Sequence, residues 1–336
     1  MKPAHHHTSA AQLGVPATEQ SDFPVSALLK RFFLKGGPVV VLLLALFVSP
    51  VAASAKIAII FPDLSDSYQN IFQSILDGIK SQKNVDYQLY PLEKEFDLDS
   101  LKTQLKNDGI SGIIALGKRG YLVAKELRDF LPTVVGALPL VPDGTSGISL
   151  SSDPESLFAQ LKTLVPDAKQ VNVVYSPTYT GWLIPLAEKA AQQHDLHLNA
   201  LPANNLRETM NLYRDLLKDV HGRSEVIWLP LDAITTRDDV VLPMLLKEAW
   251  DKDLVLISNK PLHVQQGVLF SMYPDNVAMG KKLAEMLLQR MQRTEKPVVI
   301  PTTDLQLAVN LRTAAHLGLQ FDSRLQEQFD LTFPSR

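Results

Sequence analysis

Cysteine is absent from all 336 residues. Its absence excludes disulfides, a thiolate nucleophile and any cysteine-ligated metal site. It also removes the lipid-modified cysteine that would tether an exported protein to a membrane. Charge of one sign is not in excess either: the formal net charge is −3, with no concentrated basic surface of the kind nucleic acid requires. The chemical motifs of several enzyme classes are missing. "GTSGIS" (144–149) does not fit the nucleophile elbow G-x-S-x-G, and "GKRGY" (117–121) has the wrong glycine spacing for a phosphate-binding loop or a dinucleotide fingerprint. Histidines 194, 197, 221, 263 and 316 lack metal-ligand spacing, so no metal site and no cofactor are expected. No apolar run reaches the roughly 20 residues that a membrane-spanning helix needs.

What is present begins with an unusual first 55 residues. A basic patch (Lys30, Arg31, Lys35) precedes ten uninterrupted apolar residues, Val39 to Val48. Pro50 then breaks the pattern, and Ala53-Ser54-Ala55 puts small residues at the −3 and −1 positions of a cleavage site. That order is the signature of a secretory leader. Residues 1–55 are read as a signal peptide cleaved after Ala55, and the mature protein as a soluble periplasmic one.

From Lys56 onward the composition is that of a globular chain, 46% hydrophobic and 21% charged overall. Short apolar runs alternate with amphipathic helical patterns. Strands are expected at 56–61, 86–92, 112–117, 133–138, 171–176, 196–202, 225–231 and 254–258. They are apolar throughout rather than alternating, which marks parallel strands covered on both faces. Behind the first strand, Ile71, Phe72, Ile75, Leu76 and Ile79 form one helical face. "LVPDGTSGISLSSD" (140–153) interrupts the alternation and reads as a crossing between two units. The units echo each other: 56–76 and 170–190 both run strand, aromatic, proline turn with hydroxyls, helix. The fold class is therefore α/β, two Rossmann-like lobes with parallel sheets. The first lobe is assigned 56–145 plus about 268–300, the second 146–267 plus about 301–336.

Ligands of such sheets bind beyond the carboxyl ends of the strands. The polar and aromatic residues there are Ser65, Ser67 and Tyr68 after the first strand and Lys118 after the third. The second unit supplies Thr178, Thr180 and Trp182, then Asp232, then Asn259, with Tyr273 beside a hinge candidate. Each has a plainer role available: Asp66 or Ser67 can cap a helix, Lys118 can be a solvated charge, and Trp182 can pack in a core. As a set they suit an anionic or carboxylate-bearing solute with a flat moiety.

Five stretches, in order, resemble one family: "SDSYQNIFQSILDGI", "GISGIIALG", "LKTLVPDAKQVNVVYSP", "GVLFSMYPDNVAMGKKLAEMLL" and "PTTDLQLAVNLRTAAHLGLQF". The chain from Lys56 to about Phe329 is similar to the periplasmic substrate-binding proteins of ABC transporters, in the branch of tryptophan- and tyrosine-type binders. The resemblance implies a type I periplasmic-binding fold with hinge crossings and a ligand closed between the lobes. It also implies a non-enzymatic, monomeric protein whose partners are a small solute and an ABC permease, with no nucleic acid. The alternative from another class is a sensory module that docks onto a membrane receptor or sensor kinase. Two departures bear on the ligand: Lys118-Arg119 stands where relatives often carry Thr-Pro, and "GALPLVPDG" where they often carry Asp-Pro. A cationic Lys118 at the cleft favours an anionic solute. The intact mass of the exported protein is expected to begin at Lys56; a species that retains the Val39–Val48 run would make the leader an anchor instead.

Overall fold

The computed structural model describes residues 55–62, 66–83, 85–93, 95–293 and 296–334, and the side chains of all of these except 66–68. The expected leader, apart from Ala55, and the candidate Ser65 lie outside the described residues. The first part of the chain runs β1 (Ala55–Pro62), α1 (Asp66–Lys80), β2 (Val85–Leu92), α2 (Leu98–Asn107), β3 (Gly112–Leu116), α3 (Gly117–Leu127), β4 (Thr133–Gly136) and β5 (Gly147–Ser152). The second runs α4 (Pro154–Leu164), β6 (Gln170–Tyr175), α5 (Ile184–Gln193), β7 (His197–Pro202), α6 (Leu206–Asp219), β8 (Glu225–Leu229), α7 (Val241–Asp251), β9 (Val255–Ser258), α8 (Pro261–Gln266) and β10 (Phe270–Pro274). Last come α9 (Asn276–Gln292), β11 (Val299–Thr302), β12 (Leu305–Asn310), α10 (Leu311–His316), α11 (Ser323–Gln326) and β13 (Leu331–Phe333).

These strands form two sheets, ordered β11-β5-β4-β3-β1-β2 and β13-β12-β10-β9-β8-β6-β7. Every pairing in the first is parallel, and in the second only β10 with β12 is antiparallel. The α/β class and the type I two-lobed architecture are thus what the chain adopts. The apolar runs have their expected cause. Successive side chains of a strand point to opposite faces, so a sheet covered on both sides needs hydrophobic residues at every position. Ile57 and Ile59 enter a cluster with Ile75, Ile79, Leu283 and Leu287, while Ala58 and Ile60 enter another with Leu101, Leu105, Val123 and Leu127. In β8, Val226 and Trp228 face one core and Ile227 and Leu229 the other. Each buried Val, Ile or Leu among them contributes about 1.5–3 kcal/mol by its burial.

The chain crosses between sheets three times. β5 pairs with β4 and β11 in the first sheet, and α4 then packs Leu157, Phe158 and Leu161 into the second lobe. β10 belongs to the second sheet, whereas α9 after it puts Met279, Leu283 and Leu287 into the first lobe. β11 returns to the first sheet and β12 to the second. We propose lobe boundaries at Asp153, at Asp275 and at Thr303–Asp304, in place of 145/146, 267/268 and 300/301. The first proposed boundary lies past β5: "GISLSS" has the composition of a linker, yet its residues form a largely buried strand. The crossings hold on to one another: Ser152 Oγ donates to the Met272 carbonyl at 2.8 Å, Asp153 N to Thr302 O at 2.9 Å and Asp275 N to Asp304 O at 3.0 Å. Asp153 and Asp275 also cap α4 and α9 with their carboxylates.

The return of α9 rests on a close approach to α1. A Cβ on Gly78 would lie 2.0 Å from the Val277 carbonyl oxygen, and one on Gly280 2.0 Å from that of Ile75. Backbone atoms cannot yield as side-chain tips do. Alanine ordinarily favours a helix over glycine by about 1 kcal/mol, but overpacking costs about 1–3 kcal/mol and here forces the helices apart. Gly280→Ala is therefore expected to lower the urea and thermal midpoints, whereas Gly112→Ala, which meets only the movable tips of Met291 and Leu287, is expected to cost less.

Candidate functional site

The carboxyl ends of the second-lobe strands carry a polar knot centred on Asp232. Its Oδ2 accepts from the Ser176 backbone N–H and the Thr180 hydroxyl, both at 2.8 Å. Its Oδ1 accepts from the N–H groups of Ile234 at 2.8 Å and Thr235 at 3.1 Å. Four donors satisfy a carboxylate that is 4% exposed. Asp232 and Thr180 thereby join the loop after β6 to the loop after β8, and their polar groups are spent on the protein. Thr178, on the same loop, is exposed.

Trp182 is positioned by this knot, two residues beyond Thr180 in a short 3-10 turn, Gly181–Leu183. Although it belongs to the second-lobe chain, it packs against the first-lobe cluster that contains Ile60, Tyr90 and Leu140. Its indole Nε1 is buried and has no hydrogen-bond partner among the described residues. Asn259, at the end of β9, is 6% exposed; its Oδ1 accepts from Trp228 Nε1 at 3.3 Å, and its Nδ2 has no partner among the described residues. An unpaired buried donor costs about 1–3 kcal/mol, so both groups are donors that an acceptor beyond the described residues would satisfy.

The remaining candidates lie on other elements. Ser67 and Tyr68 lie in the first turn of α1, with side chains outside the described residues. Lys118 is exposed on the first turn of α3, entered through Gly117 at φ +69°. Tyr273 packs its ring against the second-lobe cluster on the hinge strand β10. Burial, helped by the charges of Asp330 and Asp275, pushes its phenol up to about 12. Tyr121, on α3 of the first lobe, donates to Asp143 at 2.6 Å, and burial together with that carboxylate raises it likewise to about 12. The site set left out Thr236, whose hydroxyl, like that of Thr235, is buried without a partner among the described residues. Its signal was the hydroxyl-rich "DAITTRDD" directly after β8.

A Ser–His–Asp chain lies at the ends of β8 and β9. Ser258 Oγ accepts the Lys260 N–H at 3.1 Å, so its proton points to His263 Nδ1 at 2.7 Å, and His263 Nε2–H then donates to Asp238 Oδ1 at 3.0 Å. Ser258 is wholly buried, which denies a substrate access to its oxygen. The chain ties two loops together. Among the described residues no group of three or more His, Cys, Asp or Glu could hold a metal ion, and no helix is long and apolar enough to cross a membrane.

The family model described as ABC transporter substrate binding protein matches residues 56–330, and the chain belongs to that family. An ABC domain from Streptococcus pneumonia in complex with L-Trp has a similar structure, with a TM-score of 0.51 and 17% identity over 83% of this chain and 100% of that one. So does the ligand-free, open structure of CD0873, a substrate binding protein with adhesive properties from Clostridium difficile: TM-score 0.57, 16% identity, 84% and 100% coverage. At such identities the likeness concerns the fold. No protein of curated function matches the chain by sequence.

Burial lowers the His263 pKa, and the Lys260 charge adds to this against the opposing pull of Asp238. Burial also acts to raise Asp238, but its bonds to Lys260 and His263 outweigh that and hold it below the ordinary 3.8. Between the folded pKa of His263 and 6.5 the unfolded chain binds the extra proton, so this stability is present above 6.5 and is lost as pH falls through the folded value. Urea midpoints are expected to drop from pH 7 to 5, and less steeply in His263→Gln. The Asp238 contribution is lost only below 3.8, outside that window.

Proposed function

We propose that this protein captures a small solute between its lobes in the periplasm and delivers it to an ABC permease. The observation that carries the reading is Trp182, which reaches from one lobe to the core of the other with its indole N–H buried and unpaired. A solute that supplies an acceptor to Trp182 Nε1 and Asn259 Nδ2 makes interactions that exist only with the lobes together. Closure then follows, because a ligand shifts an equilibrium by its differential affinity for the two states. Three crossing segments confine the motion to a few residues. Both unmet groups are donors, and the exposed Lys118 adds a cation on the first lobe. An amino acid or another carboxylate-bearing solute meets that demand best. Ser65, Ser67, Tyr68 and Thr178 complete the proposed rim. The membership of a substrate-binding family supports this reading over an enzymatic one.

A thermal-shift screen against amino acids, small carboxylates, sugars and purines tests it. At a ligand concentration 100 times Kd, binding adds about 2.7 kcal/mol, a rise of several degrees for a chain of this size. Trp182→Leu is expected to abolish the rise while leaving the unliganded midpoint within a few degrees. A flat response across the library, or a hit that Trp182→Leu leaves untouched, removes the assignment.

A further inference from the structure

The second lobe has a cavity of about 570 Å³ at the end of its sheet opposite to the cleft. Gly267 just before β10, Asn310 at the end of β12 and Phe333 at the end of β13 all line it. The cleft residues follow the carboxyl ends of the parallel strands, and β10 is five residues long, so the two sites lie about 15 Å or more apart. Its volume is within the roughly 300–1,000 Å³ of small-molecule sites.

The cavity's polar floor is already satisfied. Asn310 Nδ2 donates to the Val264 carbonyl at 2.7 Å, and the Thr313 hydroxyl to that of Gly267 at 2.9 Å. Those bonds tie up carbonyl oxygens at the end of α8 that would repel an anion. The walls, in contrast, hold a cation that no described carboxylate pairs with and a partly exposed indole. Arg312 is the one charged residue among those lining the cavity, and no carboxylate pairs with it among the described residues. Its guanidinium lies 5.8 Å from the centroid of the Trp250 ring. Trp250 is 43% exposed, a large apolar area for a solvated position. His316 stacks on it at 3.7 Å and 6°, and lines a narrow apolar crevice behind it instead of the cavity itself. The indole is thus braced from that side. Gln265 and Gln266 add exposed amides, and Phe333 and Pro334 an apolar wall.

We propose that this cavity is a second ligand site, distinct from the cleft, for a planar organic anion such as an aromatic carboxylate. The ring of the ligand lies against Trp250 and the anion meets Arg312, whose planar donors suit a carboxylate's two oxygens. No acidic side chain is among the described residues that line the cavity, so these residues offer a cation no partner. An aliphatic anion leaves the indole uncovered.

Calorimetry on the exported protein with 2-naphthoate as probe decides the matter. Naphthalene-2-methanol, which lacks the charge, and cyclohexanecarboxylate, which lacks the flat ring, serve as comparators. The expected result is binding of 2-naphthoate at least about tenfold tighter than either comparator. Arg312→Gln weakens it about tenfold or more, Arg312→Lys less, and Trp182→Leu in the cleft leaves it within about twofold. Arg312 is exposed, so its replacement does not endanger folding. Absence of binding, an unchanged affinity in Arg312→Gln, or loss in Trp182→Leu alone overturns the proposal; the last result places the probe in the cleft.

Discussion

The contact of α9 with α1 through two glycines is the constraint on which the two-lobed form depends. Gly78 and Gly280 let the helices meet backbone to backbone, and the helix that follows β10 is thereby drawn off the second lobe onto the first. Once α9 is seated there, the chain has crossed twice, and the strand that follows completes the edge of the first sheet. A third crossing must then carry it back to supply β12 and β13. The hydrogen bonds among Ser152, Met272, Asp153, Thr302, Asp275 and Asp304 put all three crossings in one bundle. The proposed closure of the lobes would therefore be concentrated in a few backbone torsions.

Polar groups at the cleft divide by whether the protein has already used them. Asp232 has four donors and holds two loops in place; a solute would gain little from it. Trp182 and Asn259 keep buried donors in reserve. The knot serves the indole, because the same loop that Asp232 pins through Ser176 and Thr180 presents Trp182 to the other lobe. Ser258, His263 and Asp238 do for the next loop what Asp232 does for this one. Rigid loops on rigid strand ends keep unmatched donors unmatched, which is the condition for a ligand to be favoured over internal repair.

The strand pattern was legible because it is local. Four consecutive apolar residues from Ile57 to Ile60 require a sheet covered twice, and the alternation of such runs with amphipathic helices implies parallel order. The family, too, could be read from five ordered stretches. Lobe boundaries were less legible: "GISLSS" has the composition of a linker and the role of a strand, and the residues from Val268 onward gave no local sign that β10 pairs with the second sheet. Of the candidate site residues, Trp182 and Asn259 keep a buried donor without a partner among the described residues, while Asp232 and Thr180 bond to the protein and Tyr273 packs into the second-lobe core. Nothing in their residue types separates the two groups.

The amino-acid sequence by itself determined the α/β class, the parallel sheets and the family, since hydrophobic periodicity and short ordered motifs are properties of neighbouring residues. Tertiary structure alone decided which polar groups remain available. Asp232 finds its partner at Ser176 across 56 positions of sequence, and Trp182 finds its core in the opposite lobe. Hydrogen bonds saturate, and which donors are left over depends on every acceptor folded near them.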